Sequence, residues 1–195
     1  MVTQTIAITP TTDRRHAIAT ITEAFRDDPV CRWIWPGDGQ YDAWFPTFVE
    51  AFAGAAFEYG SAHAADGFAG AALWLPPGAR SDDDALGVIA DRSIDESLKD
   101  EAFAFLGQQA ELHPHEPHWY LPLIGVDPVH RGRGLGSALL EHALRTVDQQ
   151  HLPAYLEATS LRNKALYERH GFASTGAVIQ AGSSPPMWPM WRPAR

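Results

Sequence analysis

His130-Arg131-Gly132-Arg133-Gly134-Leu135-Gly136-Ser137 is the stretch whose reading decides this chain. Before it runs Trp119-Tyr120-Leu121-Pro122-Leu123-Ile124-Gly125-Val126, a mostly apolar segment that ends at Asp127-Pro128. After it, Leu139, Ala143 and Val147 recur at helical spacing. The glycines therefore sit where a buried strand turns into a helix. The first amides of a helix have no intrahelical acceptor and lie at the positive end of its dipole. Glycines let such a backbone approach an anion closely, and Arg131 and Arg133 add formal charge. The stretch Arg131, Gly132, Arg133, Gly134, Leu135, Gly136, Ser137 reads as a cradle for a phosphate or pyrophosphate. The plain alternative, a tight turn with surface arginines, explains the alternation of Gly and Arg less well.

Composition bounds the class of protein. With 195 residues, 45% hydrophobic and 20% charged, the chain has the size and make-up of one globular domain, 1–195. No apolar run is long enough to span a bilayer, and Met1-Val2-Thr3-Gln4 carries no export signal. Cys31 is the single cysteine, so no intrachain disulfide can form and a reducing cytoplasm is expected. A net charge of −9 argues against nucleic acid and anionic membranes as partners and suits a cationic small molecule.

The remaining segments read as a mixed α/β domain. Residues 5–8 form a first strand, and Thr11-Thr12-Asp13 caps a helix carrying Ile18, Ile21, Ala24 and Phe25. Cys31 to Gly37 is an irregular aromatic stretch. Residues 42–59 form a helix with Pro46 in its first turn, closed by Gly60. Residues 61–65 and 68–75 pair as a hairpin about a two-residue Asp66-Gly67 turn. Asp82 to Asp84 begin a further helix, and residues 94–112 hold one or two more. His113, His115, Glu116 and His118 lie among two prolines; alternation along an extended chain spreads the first three, so no metal site is expected. Residues 154–159 form the next strand, 164–170 a short helix, and 172–180 and 187–192 two closing strands.

Three phosphate ligands compete for the glycine turn. A P-loop needs a lysine after its glycines, and Gly134-Leu135-Gly136-Ser137 has none. A Rossmann fingerprint has its first two glycines in Gly132 and Gly134 but meets Ser137 at the third, and too little chain follows for a doubly wound sheet. The third ligand is coenzyme A. Arg131-x-x-Gly134-x-Gly136 resembles the acyl-CoA pyrophosphate loop of the GNAT superfamily of N-acetyltransferases. Arg162-Asn163-Lys164-Ala165-Leu166-Tyr167-Glu168-Arg169-His170-Gly171-Phe172 resembles that superfamily's second signature. Within it, Glu116 to Leu121, Ile124 to Val126, Leu156 to Ser160 and the Trp188 to Pro193 ending are most similar to the puromycin N-acetyltransferase-like branch. The likeness covers residues 116–195 well and 28–115 thinly.

The resemblance implies a GNAT-like fold, a central mixed, twisted sheet flanked by helices, and transfer of an acetyl group directly from acetyl-CoA to an amine, without a metal. It assigns the backbone of Ile124, Gly125 and Val126 to the pantetheine arm, the Arg131 to Ser137 turn to the pyrophosphate, and Asn163 to the cofactor arm. Asn163 and Tyr167 are four apart on a helix and share a face. The resemblance makes Tyr167 the donor of a proton to the departing sulfur, which a phenol with a pKa near ~10 can do. Glu157 is the first candidate for the base and His118 the second. Asp27 and Asp28 could draw in a cationic acceptor, and Cys31, with no paired base, reads as a packed apolar residue. A non-catalytic acyl-CoA sensor is the rival reading; it would need the glycine turn but not Tyr167. The aromatic stretch near Trp33 and the strand ending at Trp191 are candidate faces for a homodimer.

Overall fold

The computed structural model describes residues 5–195; the reading of Met1 to Gln4 lies outside them. A single seven-stranded sheet runs β1 (Ile8–Pro10), β2 (Ala62–Ala65), β3 (Gly70–Leu75), β4 (Trp119–Val126), β5 (Ala154–Ala158), β7 (Trp188–Arg192), β6 (Ala173–Ser174) in spatial order. Every pairing is antiparallel except that of β4 with β5. That parallel pair is joined by a crossover helix, α7 (Leu135–Gln149), as a parallel connection requires. The helices α1 (Arg14–Ala24), α2 (Pro29–Ile34), α3 (Asp38–Ala53), α4 (Ala55–Glu58), α5 (Asp83–Ser93) and α6 (Lys99–Leu112) precede β4, and α8 (Leu161–Arg169) follows β5.

Two apolar layers hold the sheet. On one face Ile21 of α1 and Tyr41, Phe45 and Val49 of α3 pack over Leu73, Leu123 and Tyr155. On the other, Leu139, Leu140, Ala143 and Val147 of α7 pack over Ala72, Trp74, Leu121 and Leu156. Leu121 and Leu123 are two apart, so a regular strand would put them on one face. They face opposite layers because the β3–β4 register slips between Leu73 and Leu75. Pro122 lies in this irregular stretch of β4, where a residue without an N–H does least damage to a central strand. After the slip Gly125 lies beneath α1, where a Cβ would come within 2.4 Å of the Ala24 Cβ. Gly125 is thus a glycine so that α1 can seat on β4.

Several local expectations give way to tertiary structure. The first strand is Ile8–Pro10 rather than 5–8, set by pairing with Ala65, Ala64 and His63. The aromatic stretch after Asp28 begins as helix α2, whose first amides are capped by the Asp28 carboxylate. Helix α3 starts at Asp38, so Pro46 sits in its interior, removing one backbone hydrogen bond there. The hairpin loop has four residues, because Ala65 pairs with Gly70, and Asp66, Gly67 and Phe68 all have positive φ. The closing segment 172–180 contributes only the two-residue β6 and an isolated bridge from Ile179 to Met187. Helix α8 starts at Leu161, three residues before the expected 164, because Ser160 caps it. The main expectations stand: β4 spans Trp119–Val126 as read, and α7 begins at the glycine turn.

Candidate active site

The parallel strands β4 and β5 part almost at once. They pair at Trp119 with Ala154 and Tyr120 with Tyr155, and not beyond. Beyond the slip, Leu123 to Val126 of β4 keep their partners on the β3 side only. A cleft of about 470 Å³ opens along this parting, lined by Ile124, Gly125 and Val126 of β4, the glycine turn, and Asn163, Leu166 and Tyr167 of α8.

At the turn, Gly132 and Gly134 adopt φ of 80° and 84°, the left-handed region where a side chain costs energy. Gly134 is the N-cap of α7 and provides no side-chain cap. The first backbone bond in the helix runs from the Ala138 amide to the Gly134 carbonyl at 3.0 Å, which leaves the amides of Leu135, Gly136 and Ser137 for another acceptor. A Cβ on Gly136 would meet Leu166 at 3.5 Å. Three arginines line the cleft, Arg131, Arg162 and Arg169. The Arg131 guanidinium also donates to the Ala24 carbonyl at the end of α1, at 3.0 Å. Free amides, a helix dipole and three guanidinium groups are the donors that a polyanion such as a pyrophosphate would need. Arg133 turns the other way, donating to Asp66 at 3.4 Å, and is absent from the cleft wall.

Tyr167 and Asn163 share the inner face of α8, where Ser160 caps the helix by accepting from the Asn163 amide. Tyr167 is buried beside Phe172, and burial together with the nearby Asp28 charge pushes its hydroxyl well above the ordinary tyrosine range. The phenol is therefore protonated at neutral pH. Asp28 lies at the end of this cleft; its carboxylate accepts from the Val30 and Cys31 amides and from the Thr159 hydroxyl. Burial raises the Asp28 pKa, and these bonds oppose the rise.

Past Tyr167 the cleft meets a second, apolar cavity of about 280 Å³, lined by residues of α2, α3, α5 and α6 and open to solvent where Phe103 and Leu106 are exposed. Phe25, Asp28, Ile124, Asn163 and Tyr167 line both spaces. Glu157 of β5 faces this cavity. Its carboxylate accepts from the Tyr120 hydroxyl at 2.8 Å and from Gln109 of α6 at 3.4 Å. Burial pushes its pKa to about 7, against the lowering effect of those bonds. A carboxylate poised there can take up and release a proton at neutral pH.

Thus Ile124, Gly125, Val126, Arg131, Gly132, Gly134, Leu135, Gly136, Ser137, Asn163 and Tyr167 come together on one cleft, with Glu157 beyond its end. His118 does not line either space. Its Nδ1 lies 2.7 Å from the Glu116 carbonyl and must donate there. Its Nε2 is 3.2 Å from Nε2 of His113. Burial holds His113 down to about 4, so it is neutral at pH 7. Cys31 is buried, and its thiol is pushed well above the ordinary range, which makes it a poor nucleophile. Trp33 packs against Phe105 and donates to Ser183, and Trp191 packs against His118. Gln109, Tyr120, Thr159, Arg162 and Arg169 also line or bond to the site and are not among the residues the sequence motifs point to. Arg162 and Arg169 flank the Asn163–Tyr167 pair and could have been read with it; the other three are joined to the site only by tertiary contacts.

A family model described as the Acetyltransferase (GNAT) family matches residues 37–172. An uncharacterised N-acetyltransferase of Schizosaccharomyces pombe is 31% identical over 174 residues, 82% of this chain and 70% of that protein. A crystal structure described as histone acetyltransferase HPA2 and related acetyltransferase from Corynebacterium glutamicum is similar with a TM-score of 0.66 and 29% identity, covering 98% of this chain and 96% of its own. Arylalkylamine N-acetyltransferase 2 from Aedes aegypti has a similar fold, with a TM-score of 0.69 at 15% identity, covering 98% and 100%.

Proposed function

The chain belongs to the acetyltransferase (GNAT) family, and from that premise we propose that it moves an acetyl group from acetyl-CoA directly to the amine of a small molecule. Residues 1–195 act as one catalytic domain in a reducing cytoplasm. No helix among the described residues is long and apolar enough to cross a membrane. The likeness to the puromycin N-acetyltransferase branch is part of this reading and rests on the motifs of residues 116–195.

The observation that carries the proposal is the continuity of one path. It runs from the free amides of the glycine turn, past Asn163 and Tyr167, to Glu157. The turn and its arginines suit the pyrophosphate, and the unpaired side of β4 suits a pantetheine arm lying alongside it as an added strand. A β4 amide can polarise the thioester carbonyl. Glu157, with a pKa of about 7, takes a proton from the acceptor ammonium. The freed nitrogen bonds to the acetyl carbon as the carbon–sulfur bond breaks, and the Tyr167 hydroxyl protonates the leaving sulfur. Of the two protons the nitrogen sheds, one leaves to solvent through Glu157 and the other restores Tyr167. The products are an amide, CoA thiol and one released proton.

The test is a titration of the purified protein with CoA, followed by thiol release from acetyl-CoA over a panel of primary amines. Binding with amine-dependent release is expected. Binding without release on any amine would instead favour a sensor, and no binding would remove the cofactor assignment.

A further inference from the structure

The apolar cavity beyond Tyr167 has a lining that discriminates among amines, and this inference rests on the acetyltransfer reading above. Its walls are aromatic and aliphatic, with Trp35, Phe45, Phe48, Phe52 and Phe105 prominent. Among the described residues that line it, Asp28 and Glu157 are the charged ones, and no lysine, arginine or histidine is present. Both carboxylates belong to the side where the cavity meets the cofactor cleft or the parting of the strands. Asp28 lines both spaces, and Glu157 follows the Tyr155 that pairs with β4 by two positions on the strand. The wall away from the cofactor cleft, built from Leu86, Ile89 and Ala90 of α5 and Phe103 and Leu106 of α6, has no charged side chain, and Phe103 and Leu106 are exposed where the cavity opens to solvent.

We propose that the acceptor is a monoamine with a compact apolar or aromatic body, its ammonium held between Glu157 and Asp28 and its body seated in the cavity of α2, α3, α5 and α6. Charge and shape both select this class. One cation meets two carboxylates at the reacting end. A second cation or a polyol at the other end meets apolar side chains that cover part of its water shell and offer it no hydrogen bond. The volume of about 280 Å³ falls just below the range of roughly 300–1,000 Å³ usual for drug-sized ligands, which favours a small body.

Three acceptors of nearly equal length separate these effects: hexylamine, aminopentanol and cadaverine, which end in a methyl, a hydroxyl and a second ammonium. The expected order of kcat/KM in the thiol-release assay is hexylamine, then aminopentanol, then cadaverine, with hexylamine above cadaverine by about 10-fold. Leu106→Glu, at a partly exposed position of α6, places a carboxylate at the far wall. It should raise the cadaverine to hexylamine ratio by about 10-fold, with circular dichroism confirming the fold. Cadaverine or aminopentanol matching hexylamine in the unaltered protein would overturn the inference while leaving acetyl transfer standing. Release with none of the three would also overturn it. The acetyltransfer reading falls separately, if a wider amine panel gives no release either.

Discussion

The Tyr120 hydroxyl donates a 2.8 Å hydrogen bond to Glu157 at the point where β4 and β5 separate. Tyr120 is in the last residue pair the two strands share, so the bond anchors the carboxylate to the fixed end of a widening gap. Burial nevertheless keeps the Glu157 pKa at about 7. The base form is therefore lost as pH falls through that value. The pH profile of kcat/KM should rise with an inflection near 7 and then level off. Glu157→Gln should remove that limb and lower kcat by about 100-fold. His118→Gln should retain the limb, since His118 lines neither cavity. A limb that persists in Glu157→Gln would reassign the base.

The same carboxylate links to stability. Its folded pKa lies above the usual value of 4.5, so the folded state holds that proton more tightly between roughly pH 4.5 and 7. The stability this contributes is present below the unfolded pKa and is lost as pH rises through 7. Thermal melts should show Glu157→Gln gaining on the unaltered protein at pH 8 and losing that advantage by pH 4.5. A gap independent of pH would mean that the carboxylate titrates normally.

Tyr167 stays protonated at neutral pH because burial and Asp28 push its hydroxyl upward. Tyr167→Phe removes the proton and little volume. Turnover should fall by about 100-fold while the dissociation constant for acetyl-CoA changes by less than about twofold. Equal losses in turnover and binding would make Tyr167 a packing residue only.

Gly134 has room for a side chain, since a Cβ would meet nothing nearer than Ile6 Cδ1 at 3.8 Å, but its φ is 84°. Gly134→Ala is strained by conformation rather than by contact, at about 1–2 kcal/mol. Calorimetry should find CoA binding weakened by about 10-fold, because the first amides of α7 shift off their aim. Arg133→Ala should weaken binding far less than Arg131→Ala, given that Arg133 turns to Asp66.

On β7, Arg192 is 2% exposed, donating to both Asp148 oxygens at 2.7 and 2.9 Å and to the His170 carbonyl. These bonds tie the end of α7 and the end of α8 to β7. Asp148→Ala leaves the guanidinium buried without its partner. Since Asp148 is partly exposed, the loss should be about 2 kcal/mol in denaturant unfolding, below the roughly 3–5 kcal/mol of fully buried pairs.

The elements proposed to hold the cofactor are legible in the chain because their signals are local. The strand Trp119–Val126, the glycine turn, the α7 stripe and the α8 signature each lie in one short stretch. On the proposed acceptor side, Glu157 and Asp28 could be named singly, but not the cavity that joins them. That cavity joins α2, α3, α5 and α6, and its polar contacts span great sequence distance. Thr159 meets Asp28 across 131 residues, and Gln109 meets Glu157 across 48. Pro46 inside α3 and the slip near Pro122 contradict local propensity and are held by packing on the sheet. Gly125 looked like part of the cofactor strand alone; its closeness to Ala24 adds a packing reason that no spacing reveals.

The most direct test of acetyl transfer is to count both products in one reaction of the unaltered protein with acetyl-CoA and hexylamine. Thiol is followed by colour and the acetylated amine by mass spectrometry. Equal amounts of the two, with no thiol formed when the amine is left out, are predicted. Thiol that appears without acetylated amine, or acetyl-CoA bound and unconsumed whatever amine is supplied, would contradict the account.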